Sequence, residues 1–168
     1  SKVVGDLLGP AFFAFFQATG RTVYGIWGHK IDLRKALMAS SILCVLCYGT
    51  TVFVQAPIIA LLGCALCGLS VSLMWPGTLS LSAEKFSNGG TAMFGMLAVF
   101  GDIGASFGPW MAGLVSDLAQ KSNRLLAMGH TVNLDPEQLG LKAGLFTAMI
   151  FPVIMLLGIS FMRKGKAQ

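Results

Sequence analysis

Four cysteines carry the spacing that most invites a chemical reading. Cys44-x-x-Cys47 and Cys64-x-x-Cys67 match the C-x2-C…C-x2-C pattern of a zinc ribbon. Their surroundings argue against that chemistry. Both pairs lie inside long apolar segments, with no loop to fold around a metal. Four thiolates in an apolar medium would also be costly to ionise. Both pairs lie about three helical turns from Pro57, hence at similar depth if these segments are helices. They are read as small, polarizable packing groups, and no metal or cofactor is expected.

Three other residues stand out against an apolar background. Asp102 is the single acidic residue near the middle of an apolar segment. An ionised carboxylate at such a position costs roughly 2.5–3.5 kcal/mol on insertion scales, so it needs a partner, water or a proton. It either faces a wet cavity, where it meets substrate or protons, or is satisfied by neighbouring helices. Ser106 follows one turn later on the same face. Gln17 is similarly placed in another segment and either bonds a neighbouring helix or lines a cavity. Trp75 precedes Pro76-Gly77, where a broken helix would expose backbone polar groups. Its ring is either a surface for stacking or a packing anchor.

The elements that must position these residues follow from composition. Of 168 residues, 55% are hydrophobic and 11% charged, against about 25% charged in a soluble domain. Mean hydropathy is +0.74. The charges cluster and leave apolar stretches long enough to cross a hydrocarbon core of about 30 Å. The expected fold class is all-α, a polytopic membrane helix bundle. Five spans are expected at residues 6–27, 36–54, 58–83, 91–115 and 143–162, with a loop at 28–35 and a long polar segment at 116–142. Gln55-Ala56-Pro57 makes a tight turn, so spans two and three are antiparallel. In span four, Gly101, Ala105, Gly108 and Ala112 share a face that lets a neighbour approach closely. Asp102, Ser106, Pro109 and Gly113 share the adjacent face. Asp135-Pro136-Glu137-Gln138 reads as a helix start, and Pro152 as a bend in span five.

Net charge is +5, and the basic residues gather at span ends. Sorting of Lys and Arg to the cytoplasmic side accounts for this better than nucleic-acid binding. Segments expected inside carry Arg21, Lys30, Arg34, Lys35, Lys85, Arg163, Lys164 and Lys166; those outside carry Lys2, Lys121, Arg124 and Lys142. That asymmetry puts the first residues outside and the C-terminus in the cytoplasm of a multi-pass cell-membrane protein. The first residue is Ser1, no signal-peptide pattern opens the chain, and RKGKAQ reads as a natural end. The chain is therefore read as the C-terminal part of a longer protein. No Ser–His, HExxH or paired-carboxylate arrangement lies within the spans, and no ATP-binding loop is present, so neither an enzyme nor a primary pump is expected.

The basic loop runs Gly25-Ile-Trp-Gly28-His29-Lys30-Ile31-Asp32-Leu33-Arg34-Lys35. It resembles the G-x-x-x-D-R/K-x-G-R-R/K loop of the major facilitator superfamily. Gly25, Lys30, Arg34 and Lys35 fit that pattern; His29 stands where the family has Asp, and Asp32 where it has the second Gly. The run MWPGTLSLSAEKF…GTAMFGMLAVFGDIGASFGPWMAGLVSD resembles the tenth and eleventh spans of fucose-permease-like sugar/proton symporters. The resemblance covers essentially the whole chain and makes its spans the eighth to twelfth of twelve. It implies secondary active transport of a small polar solute, a sugar, coupled to protons by alternating access. It implies a midplane site shared with an N-terminal half not contained in this sequence, spans two and five peripheral to it, and a gating role for Gly25, Lys30, Asp32, Arg34 and Lys35. The partners are then substrate, protons, membrane lipid and the missing half. A sensor or scaffold using the same helices, with no transport, is the alternative.

Overall fold

The computed structural model describes residues 2–161, and they are helical almost throughout. Arg163, Lys164 and Lys166, and the last residue of the fifth expected span, lie outside the described residues. In chain order the elements are α1 (Lys2–Trp27), a 3-10 turn (Gly28–Lys30), α2 (Leu33–Phe53), α3 (Pro57–Ser72), α4 (Met74–Lys85), α5 (Gly90–Lys121), α6 (Asn123–Thr131), α7 (Pro136–Ala148) and α8 (Ile150–Phe161). No strand occurs among the described residues. Four helical stretches are long and apolar enough to cross a membrane: Leu33–Phe53, Pro57–Lys85, Gly90–Lys121 and Pro136–Phe161. Helix α1 is 26 residues long but is not among the four, and Gln17 and Arg21 lower the apolarity of its second half. The segment 116–142 is largely helical. α5 runs on to Lys121, α6 fills most of the gap, and α7 starts at Pro136.

Local sequence explains where the helices start and break. Asp32 caps α2, its Oδ1 accepting the Lys35 backbone N–H at 3.2 Å. Pro57 and Pro136 occupy first-turn positions, where a missing N–H costs nothing. The turn from α4 into α5 passes through Gly90 at φ +55°, a conformation open to glycine. α3 and α4 form one rod interrupted at Leu73, and α7 and α8 another interrupted at Met149. Each break lies three residues before a proline, Pro76 or Pro152. The ring removes one donor and presses on the carbonyl of the preceding turn, which disrupts the ladder there. The backbone at Leu73 stays helical (φ −89°, ψ −19°), so the rod is kinked and not opened. Pro109 sits inside α5 without interrupting it.

Helix α2 is the centre of the packing. It lies against α3, α4, α7 and α8, while α1 packs on α3 and α5 on α7. The contacts are made through small residues. A Cβ on Gly68 of α3 would run into the Phe13 backbone of α1, and one on Gly20 into the Ser72 side chain. Gly63 of α3 packs on Thr50, Thr51 and the Cys47 carbonyl of α2. Gly144 of α7 lies on the Ala112 carbonyl of α5 at 2.7 Å from its would-be Cβ. Cys44, Cys47 and Cys67 form a buried cluster with Phe13, Leu43, Tyr48, Val71 and Met74 around it. The fourth thiol, Cys64, donates to the Gly9 carbonyl at 3.8 Å. All four cysteines are free thiols placed where helices meet.

Close backbone approach at Gly68 makes a clear prediction. Gly68→Ala forces α1 away from α3 and lowers stability in detergent by about 1–3 kcal/mol, the usual cost of overpacking. Gly113→Ala, where no atom lies within 4 Å of the new Cβ, leaves the thermal midpoint unchanged or raises it. Equal midpoints for the two variants would contradict the α1–α3 contact.

Candidate functional site

Four rods surround a cavity of about 420 Å³ between α2, the α3–α4 rod, α5 and the α7–α8 rod. Tyr48, Met74, Pro109, Phe151, Pro152 and Met155 are among its lining residues. Both helix breaks lie beside residues of this lining, next to Met74 and Ala148. The wall is almost wholly apolar. None of Asp102, Ser106, Trp75 or Gln17 lines it.

Asp102 and its neighbours lie instead on an open face. Of the α5 face expected to pack, three residues do so: Gly101 meets Trp75, Gly108 approaches Phe151, and Ala112 carries Gly144, while Ala105 is exposed. On the adjacent face Asp102, Ser106 and Gly113 are exposed, and Pro109, also exposed, borders the cavity. The apolar window of α5 has no buried residue. Asp102 stands twelve residues beyond Gly90, about 18 Å along the axis of α5. No cation lies within 4 Å of its carboxylate among the described residues. The Ser106 hydroxyl donates to the Asp102 carbonyl at 3.0 Å.

Trp75 rests on α5 at Gly101, the residue before Asp102. The far edge of its indole lies 2.5–2.6 Å from where a Gly101 Cβ would stand, so only glycine lets the ring rest on α5 there. Trp75 remains 44% exposed. Gln17 is half-buried on α1, which packs on α3 and not on α5, so it is not in this group. Arg21 follows one turn later on the same side of α1 and is exposed. Asp102 and Ser106 share one face of α5, Trp75 meets that helix on the adjacent face at Gly101, and Gln17 lies apart.

The basic loop is spent on local ties. Asp32 caps α2 and pairs with Lys35 at 3.5 Å. That N–H bond from Lys35, with its nearby charge, holds the Asp32 carboxyl below the ordinary value of 3.8. The Arg34 guanidinium donates to the Ser160 carbonyl of α8 at 3.1 Å, a cation on the carbonyl end of a helix. Its Nε–H is buried without a partner among the described residues. Lys30 is exposed, and Gly25 faces open space.

No family model, no curated protein and no solved structure matches this chain. The site therefore stands on its residues. Several of those that hold it were not evident from sequence. Tyr24 of α1 donates to Ser80 of α4 at 3.1 Å, and Lys142 of α7 to the Val54 carbonyl at 3.3 Å. The first had no signal beyond a polar tip on an apolar helix. The second had one: a lysine facing the free carbonyls at the end of α2.

Two outcomes follow. With Trp27 and Trp110 replaced by Phe, Gly101→Ala displaces the Trp75 ring and shifts its emission, whereas Gly104→Ala, in open space, does not; identical spectra would refute the contact. For Asp32 the folded value is depressed, so its contribution to stability is full above the ordinary carboxylate value. It is lost as pH falls through the depressed one. Asp32→Asn keeps an equivalent cap and should abolish that acid-side loss in pH-dependent unfolding.

Proposed function

We propose that this chain is part of a secondary active transporter that moves a small polar solute across a cell membrane by alternating access. The observation that carries the reading is Asp102: a carboxylate well inside an apolar helix, on its exposed side, with no cation beside it among the described residues. Lipid is a poor neighbour for that face, so a wet, protein-enclosed space is the environment that suits it. The Trp75 ring, resting on α5 at the preceding residue Gly101, adds an apolar surface on the same helix as the carboxylate, a combination suited to a sugar, which is apolar on its faces and hydroxylated at its edges. Ser106 adds a hydroxyl one turn away.

In this reading the chain supplies five spans of a twelve-span major facilitator bundle. An N-terminal half, not contained in this sequence, covers the exposed face of α5. The first residues lie outside and the C-terminus in the cytoplasm, as the distribution of Lys and Arg favours. Asp102 either carries the coupled proton or bonds the substrate. The loop around Lys30, Asp32, Arg34 and Lys35 governs conformational change and does not touch substrate.

Uptake by the intact parent protein, in cells, tests this with a panel of labelled sugars and other small solutes, with and without a proton gradient. Saturable, gradient-dependent uptake that Asp102→Asn reduces at least tenfold is the expected result. Uptake unaffected by that substitution keeps transport and reduces Asp102 to a packing role. Binding of a solute without its translocation would favour a membrane sensor instead.

A further inference from the structure

The cleft between α1 and α2 has a use that the transport site does not absorb. The two helices are consecutive, yet each packs chiefly on α3 and not on the other. Between them lies a groove of about 310 Å³ with α3 as its floor. Val23 of α1, Ala39 and Leu43 of α2, and Leu69 of α3 line it, and Ile31 of the basic loop closes one end. Ile31 to Leu43 spans about 18 Å along α2, from the helix end into the middle of the bundle. The hydroxyls on its floor are internally bonded: Ser70 donates to the Cys67 carbonyl at 2.7 Å and Ser72 to the Leu69 carbonyl at 2.6 Å. The groove is thus chemically apolar although serines line it.

Its mouth is charged. Lys30 directly precedes Ile31 and is exposed, with no carboxylate within 4 Å among the described residues. The neighbouring cations are engaged, Lys35 with Asp32 and Arg34 with the end of α8. A long, largely apolar slot whose end residue Ile31 is preceded by an exposed lysine fits a molecule with a hydrocarbon chain and an anionic head. Resting on the membrane reading above, we propose that this groove binds an anionic phospholipid. One acyl chain lies between α1 and α2, and the headgroup phosphate meets Lys30. Bound there, the lipid fills the space that α1 and α2 leave open, and membrane charge supports the α1–α2 spacing.

Native mass spectrometry of the intact protein, titrated in detergent with phosphatidylglycerol or phosphatidylcholine, tests the assignment. Phosphatidylglycerol should be retained in preference to phosphatidylcholine. Lys30→Gln should lower its retention about fivefold, the effect of one surface cation, and leave phosphatidylcholine unchanged. Ala39→Trp, which fills the groove, should lower both. Lys30→Arg should retain the lipid, which separates loss of charge from loss of fold. Lys121→Gln, at the opposite end of α5, should have no effect. Retention undiminished by both Lys30→Gln and Ala39→Trp overturns the proposal, as does an equal loss with Lys121→Gln. A dimer that Ala39→Trp disrupts, without lipid adducts, would assign the groove to a second copy and overturn it too. Recovery of the protein in the aqueous fraction after alkaline extraction would overturn the membrane reading itself. Membrane-bound protein indifferent to headgroup charge would overturn only the lipid site.

Discussion

Helix backbones in this protein must come close, and most of the remaining structure depends on that. Hydrocarbon is as apolar as a leucine side chain, so burying leucine gives helices in a bilayer little reason to associate. Close van der Waals contact between backbones must supply the difference. Gly68 against the Phe13 backbone, Gly63 against the Cys47 carbonyl and Gly144 against the Ala112 carbonyl are the points where it does. The fully buried side chains are accordingly small: Cys44, Ser41, Ser70 and Ser72, with Leu37 the one large exception. The cysteines belong to the same class. A thiol is little larger than a methyl group and tolerates a wall of Tyr48, Val71 and Met74.

Close packing solves one problem and sharpens another, since every polar group in such a medium needs a partner. Many hydroxyls find theirs within their own helices. Ser41 donates to the Leu37 carbonyl, Thr51 to Cys47, Thr78 to Met74 and Thr147 to Ala143. Helix ends are completed from neighbouring rods. The carbonyl end of α2 receives Lys142, Gln55 reaches the Val132 carbonyl, and the end of α8 receives Arg34. So α2 is tied near both ends to the part of the chain that follows α5, as suits a helix at the centre of the packing. Against this background the exposed carboxylate of Asp102 stands without a cation within 4 Å among the described residues.

Much of this was legible in the sequence, for reasons that can be named. The helical class follows from charge-poor stretches of membrane length. The packing face of α5 follows from small residues at helical spacing, Gly101, Gly108 and Ala112, because such spacing has few other uses in an apolar helix. The break before Pro76 and the start at Pro136 follow from the chemistry of proline. The centrality of α2 was not legible. Its uniform apolarity gives no direction of burial, and the small residues that make it a hub, Ser40, Ser41, Cys44 and Cys47, resemble those of any bland span. The extent of helix across 116–142 was also hidden, because polar residues suit an exposed helix as well as a loop. In the site, the adjacency of Asp102 and Ser106 is a matter of spacing on one helix. The adjacency of Trp75 and Gly101 depends on how two rods cross, which no local pattern encodes.

The distribution of breaks bears on how such a bundle could move. The α3–α4 rod is interrupted at Leu73 and the α7–α8 rod at Met149, while α5 runs unbroken for 32 residues, about 48 Å. Helix α5 touches α4 through Trp75 and Gly101, α7 through Ala112 and Gly144, and α8 through Gly108 and Phe151. Helix α2 meets both halves of each interrupted rod, so a flexure at Leu73 or Met149 must slide α4 or α7 along α2. The apolar cavity between the rods gives both breaks room to bend, and its smooth lining puts no hydrogen bond in the way. Asp102 rides on the stiff element, and the Trp75 ring rests on the same helix at Gly101. In a transporter of the kind proposed, bending at the breaks would carry both residues with α5, so that their spacing is kept while their exposure changes.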